Sequence, residues 1–351
     1  MTGNTQNKGT ILVTGGAGFI GSHTCVELLN NGYAVVVVDN LVNSNRESIA
    51  RVQKITGKEI AFYENDARDE AALGEIFDKH RITGAIHFAA LKSVGESVAK
   101  PIEYYRNNLD SLLVVLDTMR ARNVKNFVFS SSATVYGRPT SCPLHESTTT
   151  NPVNPYGHSK LMAERVLLDA AAAGGASPTV LLRYFNPVGA HPSGLLGDDP
   201  RGEPNNLMPR IERVAVGLDT ELVVHGDDYP TRDGTAVRDY VHVDDIAQAH
   251  VAALAYRGPR PVVVNLGSAT GSTVMEVVRA FERATGKRVP VRFGPRREGD
   301  VPELLADARR ARDVLGWSVT RSLDDACVDA LRWRRFHCAR SAVDSAKPNQ
   351  A

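Results

Sequence analysis

One stretch constrains this chain more than any other. Gly15-Gly16-Ala17-Gly18-Phe19-Ile20-Gly21 joins a short apolar run, Thr10–Thr14, to a helical pattern, Gly18–Asn31. It contains G-x-G-x-x-G from Gly16 and G-x-x-G-x-x-G from Gly15. Glycines at this spacing permit a tight turn and let backbone N–H groups approach a pyrophosphate, to which the helix N-terminus adds positive potential. A plain strand–turn–helix would also use glycine. The position on the first strand and an acidic residue at Asp39, ending the second strand, carry the motif beyond that reading.

The rest of the first half agrees. Ala34–Asp39 holds four consecutive valines, and Ile60–Tyr63, Ala85–Phe88, Phe127–Ser130 and Thr179–Phe185 read as further strands. Continuous apolar strands suit a parallel sheet covered on both faces. Their alternation with helical stretches predicts an α/β fold, a doubly wound parallel sheet of the Rossmann type. Two long helices are expected, near Ile102–Arg122, with Leu109, Leu112, Leu113 and Leu116 on one stripe, and from Pro155 toward Ala173. Proline at a helix start costs no hydrogen bond. From Pro187 to Pro209 the texture turns to Gly, Pro and Asn without a period, and a loop that long is usually functional. Patterned segments return at Asp244–Ala255, Val262–Leu266, Val274–Thr285 and Leu323–Arg334. The expected division is a dinucleotide-binding domain over 9–186 and a smaller C-terminal α/β substrate domain over 187–338. Some chain should cross back to the first domain, and 1–8 and 339–351 should form disordered tails.

A carboxylate at Asp39 would accept hydrogen bonds from ribose hydroxyls and repel a 2′-phosphate, which favours NAD over NADP. Asp66, at the end of the third strand, is a weaker candidate for the adenine end. The 41 basic and 40 acidic residues leave a net charge of +1, so no electrostatic footprint for nucleic acid or an anionic membrane is expected. No apolar run approaches the roughly 20 residues of a membrane span. Cys25, Cys142, Cys327 and Cys338 form no C-x-x-C pair and read as reduced thiols of a cytoplasmic protein. No metal site is expected.

Tyr156-Gly157-His158-Ser159-Lys160 supplies the chemistry. Residues four apart share a helix face, so the phenol and the ammonium can address one ligand. A phenol near pKa 10 is a poor base at neutral pH, and a neighbouring ammonium and a positive nicotinamide ring would lower that value. Y-x-x-x-K recurs by chance on helix surfaces. The discriminating feature is Ser130-Ser131-Ser132 at the carboxyl end of the fifth strand, where ligands bind in such sheets. Ser132 is the best placed of the three, although a helix or turn cap would use the same residue type.

Together these features resemble the extended short-chain dehydrogenase/reductase family. The runs GGAGFIGSHT, HFAALKSVGES, FSSSATVYG, NPYGHSK, LRYFNPVGAH, NNLMP, VRDYVHV and RREGD further resemble the UDP-glucose 4-epimerase family in order and spacing, from Thr10 to Trp333. The resemblance implies reversible oxidation of a UDP-hexose at C4 by tightly bound NAD, with hydride returned to the opposite face of the 4-keto sugar. Tyr156 would exchange the proton of the 4-hydroxyl. Ser132 would bond the same oxygen, and Lys160 would hold the nicotinamide ribose and tune Tyr156. Cofactor contacts would fall on Gly15, Gly18, Phe19, Ile20, Gly21, Asp39, Asn40, Asn43, Ser44, Asp66, Ala67, Phe88, Ala89, Lys92, Asn107 and Phe185, besides the three catalytic residues. Substrate contacts would fall on Asn186, Asn206, Arg238, Arg297, Asp300 and Leu304. Two arginines suit a diphosphate, because a guanidinium donates paired hydrogen bonds to phosphate oxygens.

Three positions depart from the family pattern. Ala90 replaces a frequent glycine, and His225 stands where an aromatic ring often meets the uracil. Leu304 occupies the position of a gate for the sugar 2-substituent. It is intermediate between a bulky residue that excludes N-acetylated sugars and a small one that admits them. A 4,6-dehydratase needs an acidic pair after the catalytic hydroxyl residue, whereas Ala133-Thr134 follows Ser132. A non-catalytic NAD sensor would need neither the Tyr–Lys pair nor UDP-hexose contacts. The long helices could pack as a four-helix bundle across a homodimer, as the resemblance implies, or serve as core faces.

Overall fold

The structure is a computed structural model that describes residues 8–174, 179–297 and 299–345. The first half runs β1 (Thr10–Thr14), α1 (Phe19–Asn30), β2 (Ala34–Val38), α2 (Glu47–Thr56), β3 (Ala61–Tyr63), α3 (Glu70–His80), β4 (Ile82–His87), α4 (Val94–Ala99), α5 (Pro101–Ala121), β5 (Asn126–Ser132), α6 (Pro155–Ala172) and β6 (Thr179–Tyr184). The second half runs β7 (Asn186–Val188), α7 (Leu207–Ala215), β8 (Leu222–His225), β9 (Val237–His242), α8 (Val243–Leu254), β10 (Val262–Leu266), β11 (Gly271–Thr273), α9 (Val274–Thr285), β12 (Val291–Gly294), β13 (Glu303–Leu304), α10 (Arg309–Leu315) and α11 (Leu323–Ser345).

Seven parallel strands form the main sheet in the order β10-β6-β5-β4-β1-β2-β3. This is the doubly wound arrangement expected from the apolar runs. Alternate strand residues feed opposite cores, which is why the runs are continuous. Ile11, Val13, Val35, Val37, Ile86, Val128 and Leu182 enter one core, and Leu12, Val36, Val38, Phe127, Phe129 and Leu181 the other. Strand order reverses between β1 and β4, which opens a crevice at the carboxyl ends of the strands. β10 comes from the second half and closes the far edge of the sheet, and α8 packs on α1.

A four-stranded sheet (β7, β9, β11, β13) and the β8–β12 pair stand apart from the main sheet. With α7, α9 and α11 they enclose a separate core around Ile211, Phe281 and Leu331. α9 has a full capping box, in which Thr273 accepts from the Glu276 amide and the Glu276 side chain accepts from the Thr273 amide.

Several boundaries differ from expectation. The fifth strand continues through Ser132, so Ser132 ends the strand instead of following it. Residues 339–345, expected in a disordered tail, continue α11, and the Lys8 amide donates to the Gly32 carbonyl. The remainder of both expected tails lies outside the described residues. The unpatterned stretch gives up its ends to β7 and α7. On α5 the buried stripe is Tyr104, Asn108, Ser111, Leu112, Val115 and Met119, whereas Leu113 faces outward, 44% exposed. Among the described residues, no helix is long and apolar enough to cross a membrane.

Candidate active site

The loop after β1 lies against the loop after β4. Gly15 has φ +72, and a Cβ there would sit 2.8 Å from the Ala89 amide nitrogen. Any side chain would therefore push the two loops apart at the switch point. A cleft opens here. Gly15, Gly18, Phe19, Ile20, Gly21, Asp39, Asn40, Asn43, Ser44, Asp66, Ala67, Phe88, Ala89, Lys92, Asn107, Tyr156 and Lys160 all line it. Two residues of the expected cofactor set do not. Ser132 lies deeper, and Phe185 packs behind the cleft with Tyr136, Leu144 and Ala306.

Asp39 has a local task that the sequence did not reveal. Its carboxylate accepts from the Ala17 amide (2.9 Å), the Leu41 amide (2.9 Å) and the Ser44 hydroxyl (2.7 Å), tying the glycine loop to the second strand. A carboxylate offers about four acceptor positions, so this geometry leaves one for a ligand hydroxyl. Asp66 accepts from Asn40, twice from the Arg68 guanidinium and once from the Arg68 amide. The Arg68 hydrogen bond holds its carboxyl well below the usual range.

The three serines at the end of β5 do three different things. The Ser130 carbonyl accepts from the Lys160 ammonium at 2.7 Å, and its hydroxyl meets the Tyr184 hydroxyl. Ser131 donates to Glu164. Ser132 caps the short 3-10 turn Ala133–Tyr136, accepting from the Thr134 amide (3.2 Å) and the Thr134 hydroxyl (2.9 Å). Both of its lone pairs are then occupied, so its own proton is free to point outward as a donor. It is hydrogen-bonded to Tyr156. The capping and ligand-facing readings of Ser132 are therefore compatible.

α6 begins where the sequence placed it. Asn154 caps it by accepting from the Gly157 amide at 2.9 Å, and Pro155 occupies the first turn. Ser159 donates to the Tyr156 carbonyl (2.7 Å) and accepts from Asn108 on α5 (3.0 Å), which fixes the turn. The Lys160 nitrogen lies 5.9 Å from the centre of the Tyr156 ring. Burial raises the Tyr156 phenol above its ordinary pKa, and the Ser132 hydrogen bond opposes this only in part. Burial also lowers Lys160 to about 7, against the opposing charge of Glu164. Desolvation is the largest influence on both groups.

Asn186, Arg238 and Leu304 lie on the small sheet, Asn206, Arg297 and Asp300 lie in loops, and none of the six lines the cleft. β9 is the hub. Asn186 on β7 pairs with Tyr240, and Leu304 on β13 pairs with Arg238. The Arg238 guanidinium binds Asp300 at 2.9 Å and the Val301 carbonyl at 2.9 Å. Arg297 is exposed, and its carbonyl accepts from the Asp300 amide. Asn206 precedes α7 and makes no side-chain cap there. His225 ends β8, with Nδ1 3.2 Å from the Pro295 carbonyl. Leu304 packs with Phe185 and Tyr136 in the cluster that also holds Ala133, next to Ser132.

Sequence reasoning missed three features. Thr134 orients Ser132. Glu164 and Arg183 form a buried pair behind the Tyr156 helix, and a charged residue inside the apolar strand Thr179–Tyr184 was the available signal for it. Gly197–Pro200 lines the cleft from the second half, inside the aperiodic stretch, and no residue pattern marked it.

Residues 11–267 match the NAD dependent epimerase/dehydratase family. The chain is 52% identical over 326 residues to UDP-glucose 4-epimerase of Bacillus subtilis, covering 92% of this chain and 96% of that one. Its structure is similar to that of UDP-glucose-4-epimerase from Stenotrophomonas maltophila with bound NAD and formylated UDP-arabinopyranose, with a TM-score of 0.93 and 47% identity over 95% of this chain and 99% of that one. It is also similar to UDP-glucose 4-epimerase from Bifidobacterium longum in complex with NAD+ and UDP, with a TM-score of 0.90 and 51% identity over 94% and 99% of the two chains. Matching sequence, fold and a cleft built around the glycine loop and Tyr156 place this chain in the NAD-dependent epimerase/dehydratase family.

Proposed function

We propose that this chain interconverts UDP-glucose and UDP-galactose, using NAD that stays bound through the cycle. The observation that carries the reading is the pairing of Tyr156 and Lys160 on the cleft wall, with Ser132 hydrogen-bonded to Tyr156. NAD supplies a hydride acceptor that is restored within each turnover. The glycine loop and the α1 N-terminus would hold its pyrophosphate, with Lys92 at the cleft wall. Asp39 keeps one acceptor for a ribose hydroxyl and would repel a 2′-phosphate. Lys160 serves the nicotinamide ribose.

Ser132, made a donor by Thr134, bonds the sugar 4-oxygen, and Tyr156 takes and returns its proton. Asn186, Asn206, Arg238, Arg297 and Asp300 hold the UDP part. Arg238 is pre-oriented by Asp300, so less side-chain freedom is lost on binding a diphosphate. The four cysteines are free, which supports a reducing, cytoplasmic setting. The exposed apolar side chains of Ile102 and Leu113 on α5, and of Met162 and Leu168 on α6, support a homodimer built on these helices.

A coupled assay on UDP-galactose without added nicotinamide, together with mass spectrometry of the nucleotide released on denaturation, tests this reading. Turnover and NAD are expected. No turnover, or NADP in the bound fraction, would overturn it. Leu304 sets a second expectation. Because it lines an apolar cluster and carries no ring, UDP-galactose and UDP-N-acetylgalactosamine should turn over within about 200-fold of each other, since a pocket difference of about one to three kcal/mol spans about ten- to 200-fold. Leu304→Tyr should then slow the N-acetylated sugar selectively. Equal slowing of both sugars would remove Leu304 as the gate.

A further inference from the structure

Part of the cleft lining comes from the second half of the chain. Gly197, Asp198, Asp199 and Pro200 line the cleft together with Phe19, Ile20, Asp39 and Asn43. These four residues belong to the second half of the chain, and α11 holds them at successive points. Arg332 donates to the Pro192 carbonyl at 2.7 Å, just before the segment. The Trp333 indole lies flush on Gly197, where a Cβ would fall 2.3 Å from its ring atoms. Arg334 donates to the Asp198 carbonyl at 3.4 Å, and His337 lies 3.5 Å from Asp199.

Arg334 is itself fixed by Glu212 on α7 at 3.0 Å, and both side chains are buried (7% and 2% exposed). The Asp198 side chain is also buried and accepts from Asn206 at 3.4 Å. On the rim, the Arg201 amide donates to Asn43. From the other direction, the Arg51 guanidinium on α2 lies over the Trp333 ring at 5.1 Å. The segment thus spans from α11 to the lip of the first sheet.

We infer that Gly197–Pro200, pinned by Trp333 and Arg334, is a strap that retains NAD in the cleft. The inference rests on the cofactor reading above. An enzyme whose hydride must return to the same sugar cannot release its cofactor in mid-cycle. The open crevice of a doubly wound sheet has no wall of its own on that side. Anchoring the wall to α11 makes NAD release require movement of a segment held by a buried ion pair and a seated indole. Such release is slow in proportion to the contacts that must break.

The test is the release rate of bound NAD into an excess of NAD-scavenging enzyme, which requires no epimerase turnover. Gly197→Ala lifts the strap off Trp333. The double variant Glu212→Gln/Arg334→Met removes the anchor without leaving one buried charge alone. Both should release NAD at least tenfold faster than the wild type while keeping its far-ultraviolet circular dichroism. A folded variant releasing NAD within twofold of the wild-type rate would overturn the strap. If neither variant folds, hydrogen exchange of the wild type decides. Amides of Asp198, Asp199 and Arg201 must become protected when NAD-stripped protein is reloaded, and unchanged exchange overturns the inference. A wild type that takes up no NAD would sink the cofactor reading itself, whereas retained NAD with insensitive variants sinks only the strap.

Discussion

Tyr156→Phe should lower kcat for UDP-galactose by about 10^2- to 10^4-fold, the range that positioned acid–base groups contribute. Bound NAD and the unfolding midpoint should stay close to wild type. The substitution deletes one oxygen from a ring that α6 holds independently of it. Asn154 caps the helix, Ser159 bonds the Tyr156 carbonyl, and Asn108 bonds Ser159, and none of these contacts uses the phenol. Burial raises the phenol, so losing the hydroxyl removes a group that its surroundings already disfavour in the charged form. Stability should therefore not fall. Ser132 loses one partner but keeps both bonds from Thr134. Activity within tenfold of wild type would remove Tyr156 from the proton transfer. Loss of NAD together with activity would mean that the phenol acts by holding the cofactor.

The raised phenol sharpens what the cofactor must do. Lys160 is pushed down to about 7 by the same burial and is committed to the Ser130 carbonyl. It is therefore a weaker source of positive potential for Tyr156 than the spacing Tyr156-x-x-x-Lys160 suggested. Under the proposed mechanism, a positive nicotinamide ring close to the phenol supplies what the lysine alone does not.

Much of this arrangement was legible because it depends on local pattern. The valines of β2, the glycines after β1 and the proline starting α6 each act within a few residues of themselves. Ser132 was also legible, since its place at a strand end follows from chain order. What was not legible depends on contacts between distant segments. The Asp39 carboxylate closing on Ala17, the Thr134 hydroxyl turning Ser132 into a donor, and Trp333 meeting Gly197 all require the folded geometry. The stripe expected on α5 illustrates the limit. Helical period located an apolar surface there, but two neighbouring faces of one helix satisfy similar periods. Tertiary packing chose the face through Leu112 and Val115 and left Leu113 outside.

Glu164→Ala should destabilise the protein by about 3–5 kcal/mol, the cost of leaving one partner of a buried ion pair alone. Glu164 on α6 and Arg183 on β6 are 2% and 5% exposed. Arg183 Nε donates to Glu164 at 2.8 Å, and its Nη1 donates to the Tyr136 hydroxyl at 3.0 Å. Tyr136 in turn donates to Asn265 on β10 at 2.7 Å, so the network ties the Tyr156 helix to β6, the 3-10 turn and β10. Removing the carboxylate strands a guanidinium that cannot give up its proton. Denaturant unfolding reads the loss as a lowered midpoint, and a change below about 1 kcal/mol would show that the pair is dispensable. Glu164→Gln separates structure from electrostatics, because it keeps the shape and some of the hydrogen bonds. The Glu164 charge raises the Lys160 pKa, so its removal should carry Lys160 further below about 7. More of the amine is then neutral at pH 7, and activity that depends on the ammonium should fall more at pH 7 than at pH 6. A pH profile parallel to wild type would confine Glu164 to holding the helix in place.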